Sequence, residues 1–169
     1  MILQKINLST VVGKMIALAD QQHLYFLDFA DSKNSAQKIA KLQSLLKCEI
    51  ESGGSNKILA QLESELAEYF KGLRKNFTIP LKTIGTDFQK QVWQILQKTS
   101  YGETISYKEQ ATKLGKKSAV RAVANANGKN NISILIPCHR IINSSGKLGG
   151  YAGGLERKKY LLAHEQKFT

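Results

Sequence analysis

The second half of the chain contains the stretch 106–127, SYKEQATKLGKKSAVRAVANAN. Ser106 followed three residues later by Glu109 is a capping box, which predicts a helix that begins at Tyr107. Glycine readily adopts the left-handed conformation that ends many helices, so this helix is expected to stop at Gly115. The stretch therefore opens with a short, well-delimited helix.

A second helix is predicted from Ala119 to about Asn127, with Ser118 as its cap. Its alanines keep this helix thin, and Arg121 is its one long side chain. Two short helices joined by a tight turn are typical of a helix-turn-helix, a DNA-binding motif. The alternative is a helical hairpin that packs only on its own core. The thin second helix could lie close to another surface or simply pack closely against its own domain, and Arg121 is the residue that would distinguish these two.

The pattern of the chain changes near Ile84, where we place a boundary between domains 1–84 and 85–169. In the first domain, short β-like runs within the first thirty residues predict an antiparallel meander. Helical spacing of apolar residues predicts helices within 32–48 and from Ile58 to Phe70. A loop is predicted at 51–55 and a last strand at 77–81, with Pro80 placing that strand at an edge.

The second domain is predicted to be mostly helical. Thr86 and Gln89 form another capping box at the start of a helix, and an amphipathic helix is expected from about Leu155 to Glu165, with a basic patch at 157–159. The apolar, β-branched run 132–136 is expected to be a strand. The fold class is therefore α/β (α+β), with an antiparallel sheet and helices followed by a helix-turn-helix domain of winged-helix type.

The chain carries 25 Lys and Arg against 13 Asp and Glu, a net charge of +12. Residues 1–84 have a net charge of +3 and residues 85–169 one of +9. Such an excess in one half favours a polyanionic partner, although a solvated lysine-rich surface is the alternative. A hydrophobic content of 42% excludes wholesale disorder, and no apolar run is long enough to span a membrane. With no secretory signal and only two cysteines, we expect a soluble, cytoplasmic protein.

The segment Pro137–Arg140 reads PCHR and places Cys138 beside His139. A thiol is a nucleophile only as its thiolate, so an imidazole that takes its proton, oriented by a carboxylate, is a general solution. Glu165 is the candidate carboxylate, and the proton could pass through a water molecule because adjacent side chains usually diverge. The alternatives are a buried apolar cysteine, a core histidine and a solvated glutamate.

Together these segments resemble the active-site signature of the methylated-DNA–protein-cysteine methyltransferases, the 6-O-alkylguanine-DNA alkyltransferase family. The likeness extends from about Gly85 to Phe168, and the order and spacing of its motifs carry it. The matching motifs are 88–93 (FQKQVW), 102–107 (GETISY), 121–123 (RAV), 136–140 (IPCHR), 150–154 (GYAGG) and 161–165 (LLAHE). The first half matches only the general layout of the family's ribonuclease-H-like domain.

The resemblance implies that Cys138 accepts an alkyl group irreversibly from the 6-oxygen of guanine, and that 4-O-methylthymine is repaired in the same way. By similarity, His139 is the base acting through a bridging water, and Glu165 orients it. Asn130 matches the asparagine that braces the turn under the active site. Tyr107 matches the tyrosine that presses on the phosphate of the target nucleotide and helps protonate the leaving guanine.

The expected partner is double-stranded DNA with alkylated guanine or thymine, bound by a monomer, with cooperative binding on DNA left open. Arg121 matches the arginine that fills the space left by the extruded base, which suits docking of a thin helix in the minor groove. The remaining residues assigned to DNA contact are Tyr107, Ser106, Ala122, Asn127 and Lys117. Those assigned to the base pocket are Tyr151, Ala152, Gly153, Lys158 and Ile141.

No cofactor is expected. Some relatives hold a structural zinc, but residues 1–84 offer only His23 and Cys48, so we predict no metal site and expect Cys48 to be an inert thiol in a helix. Two positions depart from the family pattern: Asn131 stands where proline is common, and Ala152 lacks a hydroxyl that some members carry. The rival interpretations are a lesion-sensing module without catalysis and a Cys-His hydrolase of acyl substrates.

Overall fold

The computed structural model describes every residue from Met1 to Thr169. The chain divides into two compact units, Met1–Ile84 and Gly85–Thr169. None of its helices combines the length and apolar character that crossing a membrane requires.

The first unit is a four-stranded sheet with two helices. In chain order its elements are β1 (Ile2–Thr10), β2 (Gly13–Ala19), β3 (Leu24–Phe29), α1 (Ser35–Leu46), β4 (Glu49–Ser52) and α2 (Lys57–Phe70). The strand order is β3-β2-β1-β4, and every pairing is antiparallel except that of β4, which runs parallel to β1. The predicted meander is therefore correct, with one strand added at its edge.

All six residues of the edge strand β3 are buried. Leu3, Leu18 and Phe26 from the three long strands form a core with Leu42 of α1. The single charge in β3, Asp28, is also buried, and it accepts a hydrogen bond from the ammonium of Lys38 in α1 at 2.9 Å. An ion pair thus lies on an otherwise apolar strand.

Three predictions for the first unit are wrong. Residues 77–81 are not a strand: Leu81 forms one isolated bridge with Leu24, because the proline before it has no N–H to extend a ladder. Strand β4 occupies the first part of the predicted loop 51–55, and its one apolar residue, Ile50, could not produce an apolar alternation. Cys48 is buried but follows the end of α1, so it is not a helix residue.

The second unit is mostly helical, as predicted. Its elements are α3 (Asp87–Lys98), β5 (Ile105–Ser106), α4 (Tyr107–Lys113), α5 (Val120–Gly128), a 3₁₀ turn (Cys138–Arg140), β6 (Ile141–Ile142) and α6 (Leu155–Lys167). Strands β5 and β6 pair in parallel, which brings the start of α4 beside the residues that follow the 3₁₀ turn. The helices α4 and α5 pack against each other and against α3.

Both capping boxes of the second unit form. Thr86 caps α3 with Gln89, and Ser106 caps α4 with Glu109. Gly115 follows α4 with φ 71°, as the sequence predicts. Ser118, however, does not cap α5: the helix begins one residue later than predicted, because residues 116–119 close a turn and leave Ala119 at the cap position.

The expected strand at 132–136 does not form: residue 132 makes only an isolated bridge, residues 133–135 form a turn and residue 136 is in a bend. The backbone N–H of Ile136 donates to the carbonyl of Ile132 at 3.0 Å, and Ile134 has a left-handed φ of 71°. The Asn130 side chain competes for the backbone groups that a strand would use: its Oδ1 accepts from Ile132 N and its Nδ2 donates to Ile136 O. The run is apolar because it is buried.

Candidate active site and DNA-binding surface

Cys138 opens the 3₁₀ turn with a half-buried side chain. Nδ2 of Asn130 lies 3.3 Å from its Sγ and also donates to the carbonyl of Ile136 at 2.8 Å. Asn130 therefore ties the sulfur to the turn that precedes it. An amide N–H directed at sulfur favours the anionic form of the thiol.

His139 is fully buried, and its Nε2 lies 2.7 Å from Oε1 of Glu165 in α6. Burial lowers the pKa of His139 below its usual 6.5 and outweighs the opposing hydrogen bond and charge of Glu165, so the imidazole is neutral at pH 7. A carboxylate can only accept, so Nε2 carries the proton. Nδ1 is then the basic atom, and it has no hydrogen-bond partner within the protein.

Glu165 is buried to 1% exposure and accepts from three residues. Besides His139, the guanidinium of Arg140 donates through Nε at 2.9 Å and Nη2 at 3.0 Å, and the backbone of Gly102 donates at 3.2 Å. Burial alone would raise the pKa of Glu165, but the hydrogen bonds and positive charges of His139 and Arg140 outweigh it and hold the pKa well below 4.5. Glu165 is therefore ionised.

Arg140 is a site residue that the sequence reasoning missed. Its Nη1 donates to the carbonyl of Thr99 at 2.6 Å, so the guanidinium joins Glu165 to the end of α3. The guanidinium of Arg140 also lies over the aromatic ring of Tyr101, with 5.7 Å between its central carbon and the ring centroid. A partial signal was present: Arg140 directly precedes the apolar pair 141–142, and an arginine buried in such a segment requires a carboxylate partner.

Tyr107 is the first residue of α4 and is half-buried. Burial raises the pKa of its phenol, and the nearby Cys138 adds to the effect. Its ring lies against Gly149 in the glycine-rich loop, whose φ is 70°. Tyr107 therefore contacts the glycine-rich loop from the start of α4 and lies within electrostatic range of Cys138.

Lys158 is fully buried, so the prediction that it belongs to a basic surface patch with its neighbours is wrong. Its Nζ donates to the carbonyls of Ile141, Leu148 and Gly150. No carboxylate pairs with it. Burial lowers its pKa to about 8, and the charge of Cys138 acts in the opposite direction. The ammonium of Lys158 therefore binds carbonyls at both ends of the loop 141–150 and holds these ends together.

The remaining pocket candidates lie in or beside that loop. The side chain of Ile141 is buried, Tyr151 is half-buried and Ala152 is exposed. Gly153 is buried, and its carbonyl accepts from Nη1 of Arg157 at 3.1 Å. Lys158 therefore organises the loop in or beside which these candidates lie.

The candidates for DNA contact fall into two groups. Arg121, Ala122 and Lys117 are exposed on α5 and on the turn before it. The hydroxyl of Ser106 is only partly available for DNA contact, because it already accepts a hydrogen bond from the backbone N–H of Glu109 at 3.0 Å. The remaining candidate does not face solvent: the amide of Asn127 is buried and pairs with Gln110 of α4. Asn127 is therefore on the inward face of α5, and its assignment to DNA contact is wrong.

Both halves of the chain match described protein domains. Residues 87–167 match "6-O-methylguanine DNA methyltransferase, DNA binding domain", and residues 5–83 match "6-O-methylguanine DNA methyltransferase, ribonuclease-like domain". The fold and these two matches define the class: a chain with both domains of the 6-O-methylguanine DNA methyltransferase type. Related sequences and solved structures narrow this class to a family.

The methylated-DNA–protein-cysteine methyltransferase of Methanosarcina barkeri is 41% identical over 155 residues, which cover 92% of each chain. The crystal structure of Mycobacterium tuberculosis OGT in complex with DNA aligns with a TM-score of 0.82 at 33% identity, covering 99% of this chain and 94% of that one. The structure of O6-methylguanine-DNA methyltransferase from Pyrococcus kodakaraensis, 22% identical with a TM-score of 0.70, has the same fold and covers 96% of this chain and 98% of that one.

The chain belongs to the methylated-DNA–protein-cysteine methyltransferase family. The resemblance and the fold class predicted from the sequence are both confirmed. The family's activity in DNA repair is the basis of the proposals that follow.

Proposed function

We propose that the protein repairs double-stranded DNA by transferring the methyl group of 6-O-methylguanine to its own Cys138. The observation that carries the proposal is the hydrogen bond between His139 and Glu165, which leaves Nδ1 of the imidazole as a base on the residue that follows Cys138. Membership of the family and the DNA complex of the related M. tuberculosis protein support DNA as the partner. By the same chemistry, 4-O-methylthymine is a second substrate.

In the proposed reaction the thiol of Cys138 gives its proton, through a water molecule, to Nδ1 of His139. The resulting thiolate attacks the methyl carbon, so that a sulfur–carbon bond forms as the bond from carbon to the 6-oxygen breaks. The electron pair of the broken bond goes to guanine, which takes a proton from the Tyr107 hydroxyl, and the proton held by His139 returns through water to Tyr107. Glu165 stabilises the imidazolium that exists between these proton transfers.

We propose that the lesion is turned out of the helix before transfer, because a base within the stack cannot reach a protein nucleophile. Arg121 is exposed on a helix otherwise composed mainly of small residues, which suits insertion into the minor groove where the base has left. The exposed cations near it contribute sequence-independent contacts with phosphates. Repair of this kind requires little sequence readout.

The product is a methyl thioether, from which a thiolate is a poor leaving group, and nothing in the proposed site supplies a means of cleaving it. Each molecule therefore acts once. This expectation separates the proposal from a Cys-His hydrolase, which would release its acyl group and turn over repeatedly.

The mass of the intact protein after mixing with a duplex that contains 6-O-methylguanine tests the proposal. We expect a gain of one methyl group on Cys138, complete at one equivalent of lesion. Cys138→Ala should show no gain, and Cys48→Ala, which removes the buried cysteine of the first unit, should react normally. No gain in the wild-type protein, or a gain that persists in Cys138→Ala, would overturn the proposal.

Base flipping is tested separately with Arg121→Ala. We expect this variant to react much more slowly with duplex DNA, while its reaction with free 6-O-benzylguanine changes little. Lys167→Ala removes an exposed cation at the end of α6 and serves as the control for loss of charge. Equal slowing of Arg121→Ala on both substrates would remove Arg121 from the flipping step.

A further inference from the structure

The two helices of the helix-turn-helix are joined by a buried pair of amides. Nε2 of Gln110 in α4 donates to Oδ1 of Asn127 in α5 at 3.1 Å, and Nδ2 of Asn127 donates back to Oε1 of Gln110 at 2.7 Å. Gln110 is fully buried and Asn127 is 6% exposed. The pairing is reciprocal, so each carbonyl and each amide nitrogen has a partner.

The same pair is also attached to α3. Nε2 of Gln110 donates to the carbonyl of Val92 at 3.2 Å, and Nε1 of Trp93 donates to the carbonyl of Ala126, next to Asn127, at 2.9 Å. Three helices therefore meet at one buried polar cluster. Apolar packing tolerates small rotations and slides, whereas paired hydrogen bonds require particular distances and angles.

The amide pair joins the two helices that carry the residues proposed to act on the target nucleotide. Tyr107 begins α4 one turn before Gln110, and Arg121 lies near the start of α5, the helix that ends beside Asn127. Neither amide is on the exposed surface, so neither can contact DNA directly. Their effect on DNA must come through the helices that they join.

We infer that Gln110 and Asn127 are positioning residues that set the distance and rotation between Tyr107 and Arg121 when damaged DNA is bound. The inference rests on the proposed function. Flipping needs an arginine in the stack and a tyrosine at the phosphate of the same nucleotide, so an error in their relative placement slows transfer from a duplex. A free base needs neither contact, so its reaction does not depend on the pair.

Gln110→Met tests this inference, since methionine has a similar length without the amide. Gln110→Leu is measured as well, so that a packing defect caused by the shape of one replacement side chain cannot decide the result. The control is Thr112→Gly, which weakens the same helix at an exposed position where the hydroxyl bonds only to Lys108 of α4. Single-turnover rates are measured for each protein with lesion-containing duplex and with free 6-O-benzylguanine, well below the unfolding temperature.

We expect both Gln110 variants to react with duplex at least about tenfold more slowly than wild type, and with the free base within about twofold of it. Thr112→Gly should keep the wild-type ratio of the two rates. Unchanged duplex rates, equal slowing on both substrates, or the same selective loss in Thr112→Gly would each overturn the inference. Wild-type protein that transfers no methyl group would instead overturn the proposed function.

Discussion

Gly149 leaves room for the ring of Tyr107: a β-carbon built on this glycine would lie 3.2 Å from Cε2 of Tyr107 and 3.4 Å from its hydroxyl oxygen. The same atom would lie 3.1 Å from Oδ1 of Asn143. The contact connects the first residue of α4 with the glycine-rich loop. A side chain at this position would displace either the tyrosine or the loop.

Gly149→Ala should therefore lower both stability and transfer rate. The positive φ alone costs about 1 kcal/mol for a residue with a β-carbon, and the displacement of Tyr107 adds slower transfer. Gly146→Ala is the control, because Gly146 has φ 84° but no atom within 4 Å of the added carbon. Urea unfolding and single-turnover rates check this. Transfer at the wild-type rate by Gly149→Ala would contradict it.

Glu165→Gln should destabilise the protein strongly. The substitution leaves the buried guanidinium of Arg140 without its carboxylate, and breaking a buried ion pair in this way typically costs about 3–5 kcal/mol. Glu156→Gln, on the exposed side of the same helix, is the control and should unfold like wild type. Urea unfolding at pH 7 measures both, and a loss similar to that of the control would show that Arg140 finds another partner.

Stability should fall as the pH falls below 7. Both His139 and Glu165 have folded-state pKa values below their ordinary values of 6.5 and 4.5, so the unfolded chain binds protons that the folded protein does not. The contribution of His139 is complete above pH 6.5 and is lost as the pH falls toward its lowered pKa. That of Glu165 is complete above pH 4.5 and is lost below it.

Urea unfolding between pH 8 and pH 4 measures this dependence. His139→Gln should remove the part of the slope just below pH 6.5, because glutamine does not titrate. A free energy of unfolding that rises on acidification would show that folding raises the pKa of His139 and does not lower it.

Lys158→Met should slow transfer to duplex and free base alike, because three carbonyls of the pocket loop lose their common donor. Lys159→Met removes the neighbouring lysine, which is exposed and pairs with Glu156, and should leave both rates unchanged. Intact-protein mass against time gives the rates. A Lys158→Met protein with wild-type kinetics would show that the loop holds its shape without the ammonium.

Local signals in the sequence located the elements that carry the proposed site. The capping boxes at Thr86 and Ser106 and the glycine after α4 act through neighbouring residues alone, so they predicted helix ends correctly. The segment 132–136 failed because its conformation depends on the side chain of Asn130, which binds its backbone from outside the run. Apolar, β-branched composition cannot distinguish a buried turn from a buried strand.

Buried charge was the second source of error. Lys158 lies among cations in the sequence, and only the folded loop shows the carbonyls that solvate its ammonium. Arg140 was passed over because its partner is 25 residues away in the chain. Partners so distant are set by tertiary packing, and no periodicity reports them.

The edge strand β3 has a consequence for the unfolded protein. Its six residues, LYFLDF, are largely apolar and aromatic, and in the folded state its outer edge is bridged by Leu81 only at one end. A segment of this composition is prone to cross-β aggregation once exposed. The inward-facing Asp28, neutralised by Lys38 only in the native fold, is then the one charge that opposes stacking of such strands. Protein that has lost its fold is therefore expected to form insoluble deposits through this segment.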